Sequence, residues 1–238
     1  MRYLGLLLAL LGVALLSFTL GFKTAYQKEF PYYNITNYLE TKSQENFMKN
    51  SNYHQQRALY EIYQSDHPEI IMLGDSITYR ANFNELLDTK VLNRGIGGDT
   101  TAGFLYRLPE IIQRHPKRIF IMGGINDIMQ GYSVDEIFAN YVALLQQLHK
   151  EPVALLVQST LYTSFTQYNE AVTRLNEQLQ AYCQHHNIDY LDLNSTLSPQ
   201  NYLLQSYSDD GVHINAAAYS IWKEALLEYL NKEQEERL

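Results

Sequence analysis

Ile70-Ile71-Met72-Leu73 runs straight into Gly74-Asp75-Ser76-Ile77-Thr78. A short apolar run ended by Gly and Asp predicts a buried strand that stops at a turn. Ser76 then stands at the strand's carboxyl end, where open α/β sheets place their reactive groups. The pattern recurs four times. Val91 to Asn93 leads into Arg94-Gly95-Ile96-Gly97-Gly98-Asp99-Thr100, and Arg118 to Met122 leads into Gly123-Gly124-Ile125-Asn126-Asp127. Val153 to Val157 ends in Gln158-Ser159-Thr160, and a fifth run spans Ile188 to Leu191. Helical patterns lie between and after them, over Thr101–Arg114, Val134–Leu148, Asn169–His185 and Ala216–Leu230. The first carries Phe104, Leu105, Leu108, Ile111 and Ile112 on one side, with Pro109 expected to kink or divide it. Strands alternating with helices at this spacing predict a parallel sheet covered on both faces.

The chain divides into three parts: an apolar segment at 1–22, a polar extension at 23–68 and an α/β domain at 69–238. Tyr3 to Phe22 carries no charge over a length of about 20 residues, near that needed to span a bilayer. Its end lacks an A-x-A-like cleavage site, so it reads as an uncleaved signal-anchor with the folded part outside the cytoplasm; a cleaved signal, hence secretion, is the alternative. The extension is rich in Tyr, Asn and Gln and shows no chemistry of its own. Helix formers run from about Leu39 to Gln64, with Phe47, Tyr53 and Tyr60 marking one face, as in a stalk that packs on the domain. A net charge of −8 argues against a nucleic-acid partner, because phosphate binding needs a basic patch. The single cysteine, Cys183, excludes an intramolecular disulfide and sits in a helical pattern as a neutral thiol.

Chemistry converges on a few residues. Ser76 is a nucleophile if a base reaches it and donors surround its oxyanion; taken singly it also reads as a helix cap. The glycines of the second loop present bare N–H groups. That loop is not a nucleotide loop: no Lys follows it, and Thr100 holds the third place of G-x-G-x-x-G. Asp210 and His213 are three residues apart, close enough for the carboxylate to orient the imidazole, the orienter–base half of a serine triad. Alone, such a pair also reads as a surface cap. Of the seven histidines only His213 has this setting. The α/β-hydrolase elbow is excluded, because Gly74-x-Ser76-x-Thr78 lacks its second Gly.

Gly74-Asp75-Ser76-Ile77-Thr78, Asn93 to Thr100, Gly124-Ile125-Asn126-Asp127 and Asp210-Gly211-Val212-His213 occur in that order. Together they resemble the four blocks of the SGNH/GDSL hydrolases, with Ile77 where Leu is commonest. The second block is especially similar to the branch of the platelet-activating-factor acetylhydrolase catalytic subunits and lysophospholipase-like esterases. The resemblance covers about Glu69 to Leu230. It implies a three-layer α/β/α flavodoxin-like fold with a five-stranded parallel sheet of order 2-1-3-4-5, here preceded by the apolar segment. It also implies roles: Ser76 nucleophile, His213 base then acid, Asp210 orienter, and an oxyanion hole of the Ser76 N–H, the Gly98 N–H and the Asn126 amide. Asp75, Tyr162 and Phe165 are candidate substrate contacts. The expected function is a serine esterase acting on short-chain or acetyl esters, with an O-acyltransferase on a cell-surface glycan or a lysophospholipase as alternatives. That chemistry needs no metal or cofactor.

Overall fold

A computed structural model describes residues 47–63 and 65–235. The expected anchor at 3–22 lies outside the described residues. Among the described residues no helix is long and apolar enough to cross a membrane. Five parallel strands, β1 (Ile70–Gly74), β2 (Val91–Gly95), β3 (Arg118–Met122), β4 (Ala154–Gln158) and β5 (Asp189–Leu191), form one sheet of order β2-β1-β3-β4-β5. This is the order implied by the resemblance. Gly74 pairs with Gly95 on one side and Met122 on the other. The carboxyl ends of β1, β2 and β3 are therefore flush, and the loops that follow them share one edge.

Successive side chains of a strand point to opposite faces, and both faces here are covered. Ile71, Leu73, Ile119, Ile121, Leu155 and Val157 pack under α4 (Thr101–Gln113), α6 (Val134–Leu148) and α7 (Thr166–His186). Ile70, Met72, Phe120, Met122 and Leu156 pack under α3 (Phe83–Leu87), α8 (Asn194–Leu197) and α9 (Ala216–Glu235). Trp222 of α9 is fully buried in this second layer and donates its Nε1–H to Gln158 at 2.6 Å. One helix runs through Pro109 rather than dividing there. Burial of Phe104, Leu108 and Ile111 on its inner face outweighs the ~3 kcal/mol that an interior proline costs.

A third, smaller core joins Phe47, Tyr53 and Tyr60 to Ile96 and Ala102 of the β2–α4 region. Tyr53 and Tyr60 belong to α1 (Ser51–Ile62), which Asn50 caps by accepting the N–H groups of Asn52 and Tyr53. The compact unit consequently takes in α1, the helical part of the polar extension.

Candidate active site

Ser76 is the first residue of the short helix α2 (Ser76–Tyr79), directly after β1. Asp75 turns the chain there: its carboxylate accepts the Ile77 N–H at 2.9 Å as the helix cap. Gly74 has to be bare, because a Cβ on it would collide with the Thr78 hydroxyl. Asn93 braces the same turn from β2. Its amide donates to the Thr78 and Ala81 carbonyls, both at 2.8 Å, and its Oδ1 accepts the Gly95 N–H at 2.8 Å.

Ser76 Oγ lies 2.9 Å from His213 Nε2, although 137 residues separate them in the chain. His213 Nδ1 lies 2.6 Å from Asp210 Oδ2. With the ring proton on Nδ1 aimed at the carboxylate, Nε2 presents its lone pair to the serine. The other Asp210 oxygen accepts the backbone N–H groups of Val212 at 3.0 Å and His213 at 2.7 Å. Slight burial raises the Asp210 carboxyl, but the bonds from the His213 N–H, the His213 ring and the Val212 N–H together hold it well below the usual carboxylate range. Ser208 stiffens this loop from beneath. It accepts the Gly211 N–H at 2.9 Å, donates to the His213 carbonyl at 2.7 Å, and its backbone bridges to Ile214.

The three donors that the resemblance implies follow β1, β2 and β3, whose ends share one edge. Ser76 N–H, at the first helical position, has no acceptor within its helix. Gly98 adopts a left-handed φ of +74°, which turns its peptide as an L side chain would resist. Asn126, on α5 (Ile125–Met129), donates one amide proton to the Asp99 carbonyl at 2.9 Å; an amide nitrogen carries two, and this bond uses one. Arg107, 3% exposed, ties the loop after β2 to the end of β1. It reaches Asp99 at 2.8 Å and the Gly74 carbonyl at 3.1 Å. Asp127 accepts both the N–H (3.1 Å) and hydroxyl (2.6 Å) of Thr101.

The remaining sequence candidates separate. Asp75 is buried and committed to the backbone cap. Tyr162 is buried with its hydroxyl 2.9 Å from Thr173, beside a groove between α7, β5 and α8 rather than in the Ser76–His213 pair. Phe165 is 41% exposed and its ring edges Gly211, two residues before His213 in the chain. Ser159, just after β4, and Ser208 are buried, and Ser159 Oγ is taken by the Leu193 N–H at 3.0 Å. Cys183 is buried, and burial pushes its thiol up to about 12. No group of three or more His, Cys, Asp or Glu side chains among the described residues is placed to hold a metal ion. Sequence reasoning gave no role to Asn93, although it opens the second block, or to Arg107 and Ser208. Arg107 left a signal, as a charged residue on an apolar helix.

Residues 72–221 match the family of GDSL-like lipases and acylhydrolases, and the chain belongs to that family. It is 31% identical over 150 residues to N-acylneuraminate cytidylyltransferase of Streptococcus agalactiae, covering 62% of this chain and 35% of that protein. The chain thus spans about a third of the length of these curated relatives. It is 29% identical over 166 residues to thioesterase 1/protease 1/lysophospholipase L1 of Escherichia coli, covering 63% of this chain and 76% of that one. A solved structure of a provisionally assigned platelet activating factor from Streptococcus pneumoniae is similar at 25% identity. Its TM-score is 0.65 over 84% of this chain and 97% of the other. The platelet-activating-factor and lysophospholipase likeness read from the second block is found again in these two proteins.

Proposed function

We propose that the protein is a serine esterase that cleaves short-chain acyl esters, acetyl esters foremost, through an acyl-enzyme. The observation that carries this reading is the bonded chain Ser76–His213–Asp210, at 2.9 and 2.6 Å. His213 takes the Ser76 proton as Oγ bonds to the ester carbonyl carbon. The oxyanion is held by the Ser76 and Gly98 N–H groups and the Asn126 amide. His213 then returns its proton to the departing alcohol, and a water, deprotonated in turn by His213, releases the acid. Asp210 holds the ring and stabilises its charged form. The half-exposed Phe165 beside this site suits a small acyl group or sugar face more than a long buried chain.

The apolar run at 3–22 supports a membrane-anchored protein with this domain outside the cytoplasm, and so an acetylated cell-surface glycan as substrate. A lysophospholipid is the second reading, favoured by the name of the E. coli relative. Purified protein on p-nitrophenyl esters graded by acyl length, beside acetylated glycans and lysophospholipid, tests this. Turnover greatest on acetyl is expected; a rate that climbs with chain length favours the lipid. Product analysis with a sugar acceptor present separates hydrolysis from acyl transfer. Asp210→Asn should lower kcat by about 10⁴ with circular dichroism unchanged; an unchanged rate would remove Asp210 from the site.

A further inference from the structure

One oxyanion donor assigned above, the Gly98 N–H, sits on a peptide gripped from its other end. The Gly97 carbonyl accepts the side-chain amides of Asn50 at 3.0 Å and Asn52 at 3.2 Å. Both residues lie upstream of residue 72, where the family match begins. Gly97 C=O and Gly98 N–H belong to one planar trans peptide, so they point in opposite directions and fixing one fixes the other. A Gly–Gly peptide is otherwise the easiest to rotate, because neither flanking residue has a Cβ to restrict it. Two donors on one carbonyl also polarise the unit, which strengthens its N–H as a donor.

The contact is close. A Cβ on Gly98 would lie 2.9 Å from Asn50 Nδ2, and one on Gly97 would lie 3.1 Å from Asn52 Nδ2. The amides themselves are held. Asn50 Oδ1 accepts the Asn52 and Tyr53 N–H groups at 3.0 and 3.3 Å, so its Nδ2 is turned toward the loop. On the same helix, the Tyr60 hydroxyl donates to the Gly95 carbonyl at 2.6 Å and the Tyr53 hydroxyl to the Gly103 carbonyl at 3.0 Å. The helix is thus tied to both flanks of the loop.

We infer that Asn50 and Asn52 are positioning residues of the reaction, a clamp that aims the Gly98 N–H at the developing oxyanion. This rests on the esterase reading. The test uses the full chain. Asn50→Ser keeps an oxygen to cap α1 but removes the donor; Asn52→Ala removes the other donor and leaves the cap whole. Steady-state kinetics on p-nitrophenyl acetate, thermal unfolding and amide hydrogen exchange over residues 95–100 are read for each variant and the pair. In the double variant kcat should fall on the order of 10–100-fold, with KM and the thermal midpoint nearly unchanged and exchange in the loop faster. Asn52→Ala alone should show a smaller fall of the same kind. Turnover by the wild-type protein with an equal kcat in the double variant overturns the clamp alone. A fall in midpoint with kcat intact does the same, since the pair would then only support the fold. No turnover by the wild-type protein overturns the esterase reading itself, and with it the catalytic role of the clamp.

Discussion

At the scale of single residues, nucleophile and oxyanion donor are separable. Ser76→Ala deletes the atom that would form the acyl bond, so only background turnover should remain, and a fluorophosphonate probe should leave the protein unlabelled. Asn126→Ala keeps that atom and deletes one of three donors. One such donor is worth about 10²–10³ in kcat, or ~3–4 kcal/mol, and acts on the transition state, so KM should hold. Slow labelling of Asn126→Ala is expected, and a wild-type rate would remove that amide from the site. Ser76 and Asn126 were legible in the sequence because each stands in a short block just after a strand, and Asp210 and His213 because they stand three residues apart in the loop before α9. Tyr162 was legible only as an aromatic in a loop. Its place in the core, with its hydroxyl on Thr173, depends on how α7 lies over the sheet. No local pattern encodes that.

At the scale of elements, β1, β3 and β4 were readable from their apolar runs, since a strand buried on both faces has to be almost continuously apolar. The long helices were readable from their 3.6-residue period. α2, α5 and α8 were not, because four or five residues carry too little period. The helical face of Phe47, Tyr53 and Tyr60 was visible, but its target was not: Asn50 and Asn52 bond to the Gly97 carbonyl and Tyr60 to the Gly95 carbonyl, 35 or more residues away. Tyr60 provides a measure of that attachment. Its ring is 4% exposed, the Arg94 guanidinium lies over it at 4.6 Å, and its hydroxyl satisfies the Gly95 carbonyl. Tyr60→Phe keeps the ring and the cation–π contact but strands a buried acceptor. Chemical denaturation should show a loss of about 1–3 kcal/mol with an unchanged slope against denaturant; no loss would mean that water already shares that carbonyl.

At the scale of the whole molecule, the flush ends of β1, β2 and β3 bring one Asp from each of three sequence blocks into a buried region. Asp75, Asp99 and Asp127 are all buried, with Arg107 paired to Asp99. Burial pushes Asp75 and Asp127 up to about 7, against the N–H of Ile77 in the one case and the Thr101 bonds in the other. Asp99, facing Arg107, is raised less, to about 6. A folded carboxyl raised above its unfolded value of about 3.9 keeps a proton that the unfolded chain has released. The folded state then binds more protons between the two values, and stability declines as pH rises from about 4 toward 7. Asp210 runs the other way. Its carboxyl is lowered, so its contribution is present above the unfolded value and is lost only as pH falls below that value toward the folded one. The two windows meet near pH 4 and do not overlap, which makes the buried group testable by itself. Asp127→Asn keeps an oxygen for the Thr101 N–H and hydroxyl but cannot ionise. Its absolute stability is expected to change, since the new amide nitrogen needs an acceptor, so the slope is the quantity to read. Thermal midpoints measured from pH 5 to pH 8 should fall less in Asp127→Asn than in the wild-type protein. Each ~1 kcal/mol of lost pH dependence amounts to about 2–4 °C for a domain of this size. An identical decline in both proteins would mean that Asp127 is already ionised across this range, with the Thr101 bonds outweighing its burial.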